Sequence, residues 1–96
     1  MDPRAHLYDG DLHRLRAQRT RSVADRDELA RKALASYERC ASLDPGIAEV
    51  PRQLGLLYYQ QGQLERAREA FTRYLALASD AADAARVKEY LAALSR

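Results

Sequence analysis

Residues 48–81 read AEVPRQLGLLYYQQGQLERAREAFTRYLALASDA, and they carry the clearest indication of the fold class. Its first half predicts a helix from about Glu49 to Gln61, because one face is apolar and Pro51 is tolerated in a first turn. Gly62 ends that helix. Its second half predicts another helix, marked at helical spacing by Leu64, Ala67, Phe71, Tyr74, Leu75 and Ala78. The connection is so short that the two helices must pack antiparallel as a hairpin.

Further helices are predicted on both sides of this stretch. The turn Asp44-Pro45-Gly46 ends an earlier helix, because proline cannot continue one and glycine accepts a left-handed turn. That helix is predicted from about Arg26 to Leu43, with Asp25 and Glu28 as its capping pair. Ser79-Asp80 predicts the cap of a last helix. Since no run alternates apolar with polar residues at period two, the class is all-α.

The composition sets the size and excludes several kinds of protein. The chain has 96 residues, 47% hydrophobic and 31% charged, which fits a single soluble domain with one modest core. A net charge of +2 is too small for a domain-wide field that collects nucleic acid or anionic lipid. One cysteine, with no apolar run long enough for a membrane span and no secretory signal, predicts a cytoplasmic location.

The chain also repeats itself with a period of 34 residues. This shift places Ala33 on Ala67 and Tyr37 on Phe71. The pattern W-x2-L-G-x2-Y followed by A-x3-F appears at 51–58 and 67–71, with Pro51 in place of the first aromatic residue and Ser79 in place of the final proline. The chain therefore resembles the tetratricopeptide repeat family, with one complete unit at residues 48–81.

The resemblance also divides the rest of the chain. Residues 25–45 resemble the second helix of an earlier unit, and residues 82–96 are expected to form a capping helix. Residues 1–24 are expected to form a basic segment or a degenerate first helix, since Arg21 and Ala24 stand where that unit's glycine and tyrosine would be.

The family resemblance implies a protein-interaction module without catalysis or cofactor, acting as a small scaffold or an accessory subunit of a larger complex. Such units hold a peptide or partner helix on a concave face formed by the first helix of each hairpin. Carried over to this sequence, the partner-binding residues are Glu49, Arg52, Gln53, Leu56, Tyr59 and Gln60. Leu56 and Tyr59 would face water unless a partner, or a neighbouring helix of this chain, covers them.

The arginine-rich segment from Leu12 to Arg21 has two interpretations. As a phosphate-binding arm it would make a small protein that binds nucleic acid or an anionic surface, but base-reading side chains are few and aspartates flank it. As a degenerate helix it would pack on Leu29 and Ala33 through Leu12, Leu15 and Val23. Protein is therefore the expected partner, and with so few units the chain is expected to self-associate or join a complex through its N-terminal half.

Candidates for chemistry are few. His6, Asp9, Asp11 and His13 are the only cluster that could ligate a metal, and their spacing suits no familiar site. Cys40 falls on the inward side of its helix and is expected to be a small core residue. No pairing of a nucleophile with a base emerges, so neither a catalytic residue nor a metal ligand is predicted.

Overall fold

The computed structural model describes residues 2–94, and within them the chain forms five helices and no strand. They are α1 (Pro3–Arg19), α2 (Val23–Leu43), α3 (Glu49–Gln60), α4 (Leu64–Leu77) and α5 (Ala84–Leu94). The all-α prediction is confirmed. Internal contacts divide the chain into two compact units, Met1–Pro45 and Gly46–Arg96, and their boundary in the sequence falls at the predicted Pro45-Gly46 turn. Their grouping into one domain stays a prediction.

The first unit is the hairpin of α1 and α2. Asp2 caps α1 by accepting the backbone amide of Arg4 at 2.9 Å, and Pro3 occupies the first turn, where its missing N–H costs nothing. The predicted start of α2 is wrong. The helix begins at Val23, three residues before Arg26, and Ser22 rather than Asp25 is its cap, because the Ser22 hydroxyl accepts the Asp25 amide.

A glycine sets the packing of the first unit. Gly10 on α1 is buried, and a Cβ added there would lie 2.6 Å from a ring carbon of Tyr37 on α2. The aromatic ring therefore occupies the space that a side chain would need. The predicted packing through Leu12, Leu15 and Val23 is wrong: all three are exposed, and α1 instead buries Leu7, Gly10 and Ala17.

The second unit is the hairpin of α3 and α4 followed by α5. A Cβ at Gly55 would lie 2.5 Å from Phe71, so the predicted close crossing at this glycine is present. Gly62 turns the chain between the helices with a φ of 76°, a backbone conformation that residues other than glycine rarely adopt. The predicted cap at Ser79-Asp80 is wrong, because α5 begins at Ala84 and the carbonyl of Asp83 accepts the Val87 amide.

The two hairpins contain the same kind of glycine-to-aromatic contact but differ in length. Nine residues separate Gly10 from the end of α1 at Arg19, whereas five separate Gly55 from the end of α3. Ten residues separate the start of α2 from Ala33, whereas three separate the start of α4 from Ala67. The extensions are therefore four and seven residues, about one and two helical turns, which keep the facing sides in phase. Because of this insertion, a shift of 34 residues aligns Tyr37 with Phe71 but does not align Gly10 with Gly55.

Candidate functional site

A polar cluster joins all three helices of the second unit. Asp83, which immediately precedes α5, accepts the hydroxyl of Tyr74 on α4 through one carboxylate oxygen, at 2.5 Å. Its other oxygen accepts Nε of Arg52 on α3, also at 2.5 Å. Both carboxylate oxygens thus have a donor, one of them charged, which is the stronger kind of hydrogen bond. The cluster fixes the start of α5 against the hairpin.

These contacts shift two acid–base equilibria. The Tyr74 hydroxyl, and after it the Arg52 guanidinium, hold the pKa of Asp83 below its ordinary value by stabilising the carboxylate. The same hydrogen bond raises the pKa of Tyr74, because the negative Asp83 disfavours a second negative charge. At neutral pH the cluster is therefore a carboxylate held between a phenol and a guanidinium.

A group of three aromatic side chains, Tyr59, Phe71 and Tyr90, extends the contact of α5 with the hairpin. The ring of Tyr90 stacks on Phe71, with centroids 5.5 Å apart and planes 10° apart. The ring of Tyr59 also packs on Tyr90, with centroids 5.4 Å apart and planes at 52°. Such pairs stabilise packing beyond the area they bury. A neighbouring helix therefore covers part of Tyr59, as one of the two interpretations of that residue anticipated.

A pocket of about 120 Å³ lies beside this aromatic group. Its lining combines side chains from all three helices, four of them apolar, with two arginines and one aspartate. The lining residues are Arg52, Leu56, Phe71, Asp83, Arg86, Val87 and Tyr90. Arg52 is paired with Asp83, whereas the exposed Arg86 forms no ion pair with the residues that the structure describes. The pocket therefore offers apolar side chains and one guanidinium for an acidic group.

The structure places the six predicted partner-binding residues in different environments. Glu49 and Gln60 are exposed at the two ends of α3. Gln53 is only 7% exposed, so little of it can meet a partner. Arg52 and Leu56 line the pocket, and Tyr59 lies on Tyr90 with 40% of its surface still exposed. The helix thus brings two of the six into one concave site.

Sequence reasoning missed the contribution of α5 to this site. Arg86, Val87 and Tyr90 share one side of a helical turn, a spacing that the sequence does contain. Nothing in that spacing says which neighbour the helix meets, because the connection after α4 and the Asp83 contacts decide it. The sequence therefore shows Asp83 and Tyr90 but gives no sign that they belong to one site.

The first unit holds a second polar cluster of similar chemistry. The buried Tyr37 donates its hydroxyl to Asp11 at 2.5 Å and accepts Nε of Arg14 at 3.1 Å. Burial first, and then the hydrogen bond to Asp11, raise the pKa of Tyr37 far above its ordinary value. Arg14 of the arginine-rich segment is thus held within the hairpin, and the segment itself lies mostly in α1.

The remaining candidates for chemistry are placed as follows. Cys40 is fully buried, as expected, and burial raises the pKa of its thiol. The described residues, His6 and His13 included, contain no group of three side chains arranged to hold a metal ion. Among these residues no helix is long and apolar enough to cross a membrane.

Two antiparallel helix pairs with the same glycine-to-aromatic contact place the chain in the class of helical-hairpin repeat proteins. The family model described as tetratricopeptide repeat matches residues 21–92, which cover α2 to α4 and most of α5, and the chain belongs to that family. The match leaves out the whole of α1, which ends at Arg19. Tetratricopeptide repeats generally mediate protein–protein interaction. No curated protein matches this chain.

Proposed function

We propose that the chain is a protein-interaction module, a scaffold or accessory subunit of a larger complex, whose second unit binds a peptide or helix of its partner. The binding surface is the α3 face that includes Leu56 and Tyr59, together with the pocket beside it. The single observation that carries this proposal is the pocket itself, whose lining combines apolar side chains with Arg86, a guanidinium without an ion pair among residues 2–94.

The lining specifies the chemistry of the partner. Leu56, Val87 and Tyr90 suit one apolar or aromatic side chain, and a pocket of this volume accepts about one such group. Arg86 suits a carboxylate next to that side chain, because a guanidinium binds carboxylates with matched geometry. The proposed ligand is a peptide with a large apolar residue flanked by aspartate or glutamate.

Other features support this function over the alternatives. Tetratricopeptide repeats are typically non-enzymatic, and a buried free thiol at Cys40 suits the reducing cytoplasm, where we place the protein. The alternative, binding of nucleic acid or an anionic surface by the arginine-rich segment, has fewer free cations than the sequence suggests. Arg14 is engaged by Tyr37 and Asp11, and no other observation favours that function.

The test is selection of peptides from a random displayed library on the immobilised chain, followed by titration of the selected peptides. We expect enrichment of an apolar residue beside an acidic one. Leu56→Ser and Arg86→Ala should each weaken binding by about tenfold or more, as expected for anchors in a pocket. Lys88→Ala is the matched control, because it removes one cation from the exposed part of the same helix, outside the pocket lining.

Arg52→Ala is unsuitable for this test, because the variant would release Asp83 and alter the start of α5. Thermal melts of all variants separate lost binding from lost folding. The proposal fails if selected peptides bind Leu56→Ser and Arg86→Ala as tightly as the wild type, or if the control loses as much affinity as Arg86→Ala.

A further inference from the structure

An apolar stripe runs along the outer face of α1. Ala5, Tyr8, Leu12 and Leu15 follow one another at intervals of three, four and three residues, which is the a/d spacing of a helix that packs along a partner helix. Tyr8 is 62% exposed, Leu12 45% and Leu15 43%. The stripe faces away from α2, since Leu7, Gly10 and Ala17 occupy the opposite side of the helix.

The charges beside this stripe change sign along the helix. Asp9 flanks its N-terminal half, and Arg16 flanks its C-terminal half on the same side, two helical turns later. Both side chains are exposed, and neither forms an ion pair within residues 2–94. Arg19 continues the line of the stripe at the C-terminal end of α1. One flank of the stripe is therefore acidic at one end and basic at the other.

A surface of this kind is complementary to itself when it is turned end over end. We propose that α1 pairs with α1 of a second copy of this chain, antiparallel and about a two-fold axis that passes between Leu12 and Leu15. Leu12 of each copy then meets Leu15 of the other, and Asp9 of each copy meets Arg16 of the other. A two-fold interface uses one patch twice, so each contact occurs two times.

The ends of the stripe favour the same orientation. In the antiparallel pair Arg19 of each copy lies over the Tyr8 ring of the other, where a guanidinium is attracted to the aromatic face. In a parallel pair the two Arg19 side chains would meet each other across the seam, and like charges there repel. The antiparallel arrangement also leaves Asp11 in its contacts with Tyr37 and Arg14.

The first experiment measures association of the full chain by sedimentation equilibrium over a range of about 1 to 300 µM. The stripe is short, so we expect a dimer with a dissociation constant in roughly the micromolar range. The double variant Leu12→Gln/Leu15→Gln should raise that constant by about tenfold or more, because it removes the apolar centre of the interface. Leu43→Gln is the matched control: the same residue type in the same unit, 49% exposed, but outside the stripe.

The second experiment exchanges the charges. Asp9→Arg and Arg16→Asp should each weaken the dimer by about tenfold, because each brings like charges together twice. The double variant Asp9→Arg/Arg16→Asp should restore wild-type association, since the exchanged pair is again complementary in an antiparallel dimer.

These outcomes decide the proposal. A wild-type chain that stays monomeric throughout the concentration range overturns it, as does equal weakening by Leu43→Gln. If the single charge variants associate as tightly as the wild type, or if the double exchange does not restore association, the dimer uses another surface or another orientation. Either result also overturns the proposal. Helical circular dichroism of each variant, unchanged from the wild type, shows that folding is not the cause.

Discussion

At the scale of single residues, two glycines allow the paired helices of this protein to approach each other closely. Gly10 and Gly55 each lie directly against a fully buried aromatic ring on the facing helix, Tyr37 in one unit and Phe71 in the other. Glycine inside a helix costs about 1 kcal/mol relative to alanine. Its presence at both crossings means that close approach of the helices outweighs that cost.

We therefore expect Gly55→Ala to destabilise the chain, although alanine is the better helix former. The new Cβ would meet the Phe71 ring at 2.5 Å, and a buried ring cannot move aside freely, so the net loss is about 1 to 3 kcal/mol. Urea unfolding followed by circular dichroism measures it. In a Phe71→Leu background the same change should cost much less. A Gly55→Ala chain as stable as the wild type would contradict the proposed crossing.

The polar cluster around Tyr37 shows how a tyrosine is accommodated at a position that is phenylalanine in the other unit. Tyr37 is the counterpart of Phe71 in the repeat, and its hydroxyl requires partners because a buried polar group without them is costly. Asp11 and Arg14 supply both, each from α1. The first unit thus combines a glycine crossing with a buried hydrogen-bonded tyrosine.

At the scale of elements, the hairpins differ in length but not in phase. The seven residues added to α2 complete about two turns, so Ala33 still faces α1 as Ala67 faces α3. Added turns move the connecting loop outward along the pair without rotating the helices against each other. The repeat therefore tolerates an insertion of this length, and α2 reaches 21 residues while α4 has 14.

Asp83 joins three elements, and this predicts a dependence of stability on pH. Its pKa is lowered in the folded chain from the ordinary 3.8, so its stabilising contribution is complete above that value and is lost as the pH falls through the folded-state pKa. Asp83→Asn should therefore lower the melting temperature at neutral pH. The difference from the wild type should shrink below about pH 4.

Thermal melts of both proteins between about pH 7 and pH 2.5 measure this difference. Glu28→Gln is the control, since the pKa of Glu28 is also lowered, by Arg31, but that pair is exposed on one helix. Exposed pairs contribute little to stability, so the control should track the wild type. A constant difference between Asp83→Asn and the wild type at all pH values would mean that the carboxylate charge has no part in it.

At the scale of the whole molecule, the two units present different surfaces. The second unit offers the pocket formed with α5, and the first offers the apolar stripe on α1. The two proposals therefore use separate residues, and variants of one surface can be tested while the other is intact. A dimer through α1 would double the number of pockets in the assembly, and binding to a multivalent partner would then be strengthened.

The proposed dimer predicts that stability depends on protein concentration. Since association stabilises the folded chain by mass action, a hundredfold rise in concentration around the dissociation constant should raise the melting temperature by roughly 5 °C. The double variant Leu12→Gln/Leu15→Gln should melt at one temperature throughout. Scanning calorimetry over that range makes the comparison. Identical behaviour of the two proteins would show that α1 pairing does not contribute to stability.

Much of the fold could be predicted from the sequence because it depends on local signals. Gly62 and Pro45 end helices by backbone geometry alone, and the apolar spacing of Ala67 and Phe71 defines the face of α4 without reference to distant residues. The period of 34 residues identified the family for the same reason, since it is a property of the chain and not of its packing.

The tertiary structure decided what local patterns leave open. Leu12 and Leu15 have the spacing of core residues, yet Gly10 permits a closer approach of α2 on the other side of α1, and the leucines remain exposed. The site in the second unit depends on the contacts of Asp83 with Arg52, 31 residues away in the chain, and with Tyr74, nine residues away. Helical periodicity shows which residues share a face, but only packing decides what that face meets.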